Sequence, residues 1–173
     1  MLTATITPSP ESTYTPTPTR TPALPSAQVA LEVDGDACAS GTELKVVVAV
    51  TSNPGGHVPI AASYALYYPS TALAFLRVEE GDLGPAQAGA ETTSTTSGLP
   101  NRYRVFATLS NAANKDTTPT AFTVVFRVLP EHSQSYSVEL ATPEGVSTPL
   151  VDAGFTAIAH TLDSAAGAGL CAP

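Results

Sequence analysis

The sequence predicts an all-β protein: a jelly-roll-type antiparallel β-sandwich of about nine strands, preceded by an extended Thr/Pro linker. Three observations carry this. From Gln28 onward, apolar residues recur with a period of two. Clusters of Gly, Pro, Asn and Asp separate those runs. No window shows the 3.6-residue periodicity of an amphipathic helix.

Residues 1–27 stand apart from the rest. Thr13-Tyr14-Thr15-Pro16-Thr17-Pro18-Thr19-Arg20-Thr21-Pro22 is a Thr-Pro repeat. Proline fixes φ and removes a donor, and the residue before it is pushed to extended geometry. Such a segment builds neither ladder nor helix, and it reads as a semi-rigid spacer of the kind found in secreted multimodular proteins. A domain over residues 28–173 follows. The first strand alternates at Val29, Leu31 and Val33, the second at Leu44, Val46, Val48 and Val50. Tyr64, Leu66 and Tyr68 make the next stripe, then Phe122, Val124, Phe126 and Val128, then Tyr136, Val138 and Leu140. Phe155, Ala157 and Ala159 are read as the inward stripe of a last strand. Val, Tyr, Phe and Thr suit a pleated, half-buried surface. Asn53-Pro54-Gly55-Gly56, Glu80-Gly81-Asp82, Ser97-Gly98-Leu99-Pro100-Asn101 and Pro143-Glu144-Gly145 supply the breaks. Val47, Val125 and Leu129 lie opposite the main stripes, so their strands are either central ones or carry an outer apolar patch.

Composition removes several functions. The chain has 173 residues, with 7 Lys+Arg against 15 Asp+Glu and a net charge of -8. That balance offers no footprint for a phosphate backbone, so nucleic acid is not an expected partner. No run of apolar residues is long enough to span a bilayer. Beyond the spacer, about 145 residues remain, and a domain of that size buries roughly two-thirds of its unfolded surface. Met1-Leu2-Thr3 does not open a signal peptide, for neither a basic start nor an apolar core follows. The linker style and cysteine use point to an extracellular or cell-surface setting. Cys38 follows the first strand and Cys171 lies near the last residue, a placement that fits one disulfide. Two unrelated thiols is the competing reading. Neither has a C-x-x-C companion, which disfavours zinc and redox chemistry.

Reactive constellations are not signalled. His57 and His132 fall in turns and His160 at the end of the last strand, with no nucleophile motif beside any of them. Glu79, Glu80 and Asp82, and likewise Asp34 and Asp36, cluster around turn glycines, where solvated carboxylates are common. Asp34-Gly35-Asp36 lacks the further oxygen ligands of a calcium loop. No catalytic residue, metal ligand or cofactor is expected. Tyr67 and Tyr103 are the only candidates for exposed rings, and Trp is absent, so sugar stacking is not signalled.

One stretch resembles a known family. Tyr68-Pro69-Ser70-Thr71-Ala72-Leu73, the apolar Ala74-Phe75-Leu76, and Glu79-Glu80-Gly81-Asp82-Leu83 resemble the signature of cellulosomal cohesin modules, which are unrelated to the chromosome cohesins. Gly41-Thr42-Glu43-Leu44-Lys45-Val46-Val47-Val48 is similar to an upstream strand of that family, and residues 103–107 and 121–128 to two later ones. The likeness covers roughly residues 28–162, with Pro69 and Ser70 departing from the usual Asp-Pro. Within it, Leu73 is expected to re-enter the core and Gly81 to supply a positive φ. The resemblance implies a non-catalytic extracellular module whose sheet face receives the helices of a dockerin-type partner, with calcium carried by that partner. By position, the face would include Ala61, Ser63, Ala107, Leu109 and Ser110. Ala61 and Ser63 replace polar and acidic residues usual there. A carbohydrate-binding module of related form, with polysaccharide as partner, is the alternative, and a structural stalk domain the third.

Overall fold

The computed structural model of the chain describes residues 26–84, 102–130, 135–143 and 145–171. The Thr-Pro spacer up to residue 25, the 97–101 turn, His132 and Glu144 lie outside the described residues. Among the described residues nine strands follow one another: β1 Ala27–Asp34, β2 Glu43–Ser52, β3 Pro59–Pro69, β4 Leu73–Glu80, β5 Arg102–Ser110, β6 Thr120–Val128, β7 Glu139–Ala141, β8 Leu150–Asp152 and β9 His160–Asp163. The only helix among the described residues is a 3-10 turn, Ala165–Gly167.

The strands form two sheets. One has the order β4-β6-β2-β1-β9; the other has β5-β3-β7, with β8 also pairing β3. The pairs are antiparallel with one exception: β1 runs parallel to β9, with Ala27 opposite His160. The alternating stripes meet between the layers. Leu44, Val46 and Val48 of β2 and Phe122, Val124 and Phe126 of β6 face Tyr64, Leu66 and Tyr68 of β3 in one cluster. Tyr68 packs its ring 4.7 Å from Phe126 and 6.0 Å from Tyr103. Leu73 re-enters that core as expected.

Val125 is buried because β6 is a central strand, flanked by β2 and β4. Its register neighbours are Lys45 and Arg77, whose aliphatic stems can lie over it. Gly81 is needed for a different reason from the one expected. Its φ is not positive; that geometry falls to Gly84, at φ 88°. A side chain at residue 81 would instead place its Cβ 2.3 Å from the Thr120 carbonyl oxygen, so β4 could not approach β6 there.

The last predicted stripe does not hold. Phe155, Ala157 and Ala159 are all exposed, and the residue that enters the core is Ile158. The cause is local. Asp152 Oδ1 accepts hydrogen bonds from the backbone N–H of both Gly154 and Thr156, at 2.9 Å each, so the chain turns where a strand was expected.

Cys38 and Cys171 are joined by a disulfide, with Cα atoms 4.9 Å apart and 133 residues of sequence separation. In the chain-entropy model, a closure this long stabilises by about 4–5 kcal/mol. Replacing both cysteines by serine should lower the free energy of urea unfolding by that order. A loss under about 1 kcal/mol would mean that β1–β9 pairing alone holds the ends together.

Tyr64 lies wholly inside the core, edge-on to His160 at 5.8 Å, and its hydroxyl has no hydrogen-bond partner. Burial raises its ionisation well above the ordinary tyrosine value. Leaving a buried hydroxyl unpaired costs about 1–3 kcal/mol. Tyr64→Phe should therefore stabilise the protein by about 1 kcal/mol or more, read from the same urea transition; a destabilised variant would reveal a partner for that oxygen.

Candidate functional site

The outer surface of the β3 sheet is built by the residues between its core positions. Along β3 these are Ala61, Ser63, Ala65, Tyr67 and Pro69, and β5 sets Ser110, Thr108, Phe106, Arg104 and Arg102 directly opposite them. On the far flank, Val151 of β8 lies opposite Ala61, and Ala141 and Glu139 of β7 lie opposite Ala65 and Tyr67. The middle of this face is uncharged, with small side chains beside the Phe106 ring. Ser63 Oγ and Thr108 Oγ1 are 2.9 Å apart, and Ala65 is covered by its neighbours. The Asp152–His57 pair stands at the β8 rim, and the charge of β3, β5 and β7 gathers at the opposite end. There Arg102 pairs with Glu139 at 2.9 Å, and the Arg104 guanidinium lies 5.9 Å from the Phe106 ring centroid.

Three of the residues expected on this face are there: Ala61, Ser63 and Ser110. Two are not. Ala107 and Leu109 are 0% and 1% exposed, opposite Tyr64 and Ala62, and belong to the core. Leu109 and Ser110 are consecutive, and an unbulged strand sends consecutive side chains to opposite faces. Phe106 and Thr108 take the vacated places. The parity rule, anchored on Ser110, would have found both.

The opposite outer surface differs in kind. On the five-stranded sheet, Arg77 bridges Glu43 at 3.0 Å and Glu79 at 2.7 Å, and Lys45 reaches Glu79 at 3.1 Å. Strand pairing places these groups on β2 and β4, either side of Val125. The result is a charged ladder satisfied within itself.

No family model matches the sequence, and no curated protein matches it. Solved structures do. A type I cohesin–dockerin complex from Clostridium thermocellum aligns over 80% of this chain and 95% of the matched chain, at 12% identity and TM-score 0.55. A type II cohesin from Bacteroides cellulosolvens aligns over 84% and 99%, at 14% identity and TM-score 0.55. A type II cohesin from the cellulosome of Acetivibrio cellulolyticus aligns over 80% and 92%, at 14% identity and TM-score 0.53. The chain has the cohesin fold. At these identities the likeness is one of backbone architecture, and the outer face of the cohesin sheet must be read from this chain's own residues.

Asp36, Asp82, His57 and His160 have structural partners. Asp36 Oδ1 accepts the backbone N–H of Cys38 at 2.8 Å and of Ala39 at 3.2 Å. Asp82 Oδ2 accepts the Thr120 N–H at 2.8 Å. His57 Nδ1 lies 3.5 Å from Asp152 Oδ2, and His160 Nδ1 lies 2.9 Å from the Ile158 carbonyl oxygen. Among the described residues, no three His, Cys, Asp or Glu side chains gather to hold a metal ion. Tyr67 and Tyr103 do not form a row of rings. Tyr67 is on the outer face, whereas Tyr103 packs against the core and stacks on Tyr68.

The ladder has a pH signature. Hydrogen bonds from Arg77 hold the Glu43 and Glu79 carboxyls below their ordinary value of 4.5, with Lys45 adding to the effect on Glu79. A depressed folded-state pKa gives stability that is complete above the unfolded value and is lost as pH falls through the folded one. Stability should therefore fall with pH below about 4.5, and Arg77→Gln should flatten that dependence. Both follow from denaturation midpoints between pH 2 and 6. An unchanged slope in the variant would show that the ladder is solvated and contributes nothing.

Proposed function

We propose that this chain is a non-catalytic protein-docking module of the extracellular or cell-surface type, which receives a dockerin-like helical partner on the outer face of β5, β3 and β8. The observation that carries the reading is that face: it is uncharged at its centre, where Ser63, Ala65, Phe106 and Thr108 lie, with charge held to its two ends. It presents no converging acids or imidazoles. The opposite face of the sandwich, by contrast, is a charged ladder that a partner would have to desolvate at a cost.

The fold likeness supports a protein partner, since the Clostridium thermocellum structure is a cohesin–dockerin complex. The spacer composition and the Cys38–Cys171 bond support a secreted setting. Calcium, in this reading, belongs to the partner. A complex of ordinary size would bury about 1,200–2,000 Å². The net charge of -8 would hasten encounter with a basic partner more than it would tighten the complex.

Calorimetric titration with calcium-loaded type I and type II dockerins is the test. Binding is expected with a member of that panel, lost on chelation. Ser63→Arg and Thr108→Arg place a bulky charge at the face centre and should each weaken binding by about 2 kcal/mol, some 30-fold, with the fold intact by circular dichroism. Arg127→Ser, on the other sheet, should leave affinity unchanged. Equal effects from both faces, or no binding anywhere in the panel, would overturn the assignment.

A further inference from the structure

At the β8 rim of this face stands Phe155, 82% exposed and the one large hydrophobic side chain so exposed among the described residues. Its backbone is left-handed, at φ 57°, a conformation that bulky L-residues avoid. The turn contains a glycine, Gly154, yet the left-handed position falls to Phe155. Glycine or asparagine there would relax the backbone and remove an apolar ring from water. The surrounding turn is over-determined, as a strained residue requires. Asp152 Oδ1 accepts the Gly154 and Thr156 N–H groups at 2.9 Å each. Asp152 N–H donates to the Thr156 carbonyl at 3.0 Å, and Phe155 N–H donates to the Asp152 carbonyl at 2.9 Å. The other carboxylate oxygen lies 3.5 Å from His57 Nδ1.

From these observations we propose that Phe155 is the anchor side chain of partner binding, seated in an apolar pocket of a helical, dockerin-type protein that lies across β8, β3 and β5; the inference rests on the docking reading above. Three features support it. The turn begins directly after Val151, which is paired with Ala61 on the face itself, so the ring lies at the edge of that surface. The backbone beneath it is already fixed, so docking orders little that was free. A rigid aromatic at an interface contributes far more binding energy than its share of area. Of the rings on this face, Tyr67 and Phe106 are half-buried between their neighbours, and Phe155 stands free in solvent at the end away from Arg102.

The test uses the full chain, calcium-loaded type I and type II dockerins, and the variants Phe155→Gly, Phe155→Leu and Thr108→Arg. Phe155→Gly should weaken dockerin binding at least 10-fold, chiefly through faster dissociation, while its thermal midpoint stays level or rises as the backbone relaxes. Phe155→Leu should recover part of the affinity. If Phe155→Gly binds like the parent while Thr108→Arg does not bind, the anchor role is overturned and the docking face stands. If the parent protein binds no dockerin, the docking reading fails and the anchor role falls with it. A lowered thermal midpoint in Phe155→Gly would make the ring a structural element and overturn the proposal. So would a parent protein that sediments as a dimer and becomes monomeric with Phe155→Gly, because the ring would then serve self-association.

Discussion

The register of β3 is the constraint on which the rest of the molecule depends. This strand pairs with β5 on one side and with β7 and β8 on the other. Its inward residues, Ala62, Tyr64, Leu66 and Tyr68, belong to the core. Its outward residues, with those of β5, make the candidate docking face. Side chains alternate with a period of two, so a one-residue slip would drive Ser63 inward and expose Tyr64. The bulk of Tyr64 and Leu66 against the β6 stripe makes that slip costly. The same packing that stabilises the sandwich therefore decides which residues a partner would meet.

Strand periodicity made the architecture legible in the sequence. The stripes of β2, β3 and β6 are strict, and their large side chains leave one face to bury. Legibility failed where side-chain hydrogen bonding competes with alternation. The run at Phe155, Ala157 and Ala159 has the right period, yet the Asp152 carboxylate captures two backbone N–H groups and turns the chain, sending Ile158 inward instead. The site was half legible. Ala61, Ser63 and Ser110 lie on the outer face, as the family resemblance implies, whereas Ala107 and Leu109 lie in the core, because strand parity sends Leu109 away from Ser110. Counting by two along β5 from Ser110 leads to Thr108 and Phe106, which the family correspondence does not indicate. Nothing in a linear pattern distinguishes an exposed phenylalanine such as Phe155 from a core one; that distinction required the turn.

Charge is distributed so that the two outer surfaces of the sandwich behave differently. Glu43, Lys45, Arg77 and Glu79 satisfy one another across β2 and β4. Ion pairs as exposed as these add little stability each, but they leave the charges on either side of Val125 satisfied by one another. On the other sheet Arg102, Arg104 and Glu139 gather at one end and Asp152 at the other, and they leave the centre to Ser63, Thr108, Ala65 and Phe106. Desolvating that centre asks little of a partner, whereas desolvating the ladder would break several pairs at once.

The low identity to solved cohesins follows from the same geometry. Inward positions need only be apolar and of suitable volume, so Val, Leu, Tyr and Phe exchange there while the layers persist. Outward positions are free of that requirement and change without disturbing the core. An alignment near 12–14% identity can therefore preserve a sandwich over 80% of the chain and still say little about its partner. Here the outward set has few charges and one strained, solvent-facing ring. A partner chosen by such a surface would be selected by shape and by an apolar cavity, with ion pairing restricted to the two ends of the face. Recognition by the proposed docking surface would thus turn on residues that the fold leaves unconstrained, among them Ser63, Phe106, Thr108 and Phe155.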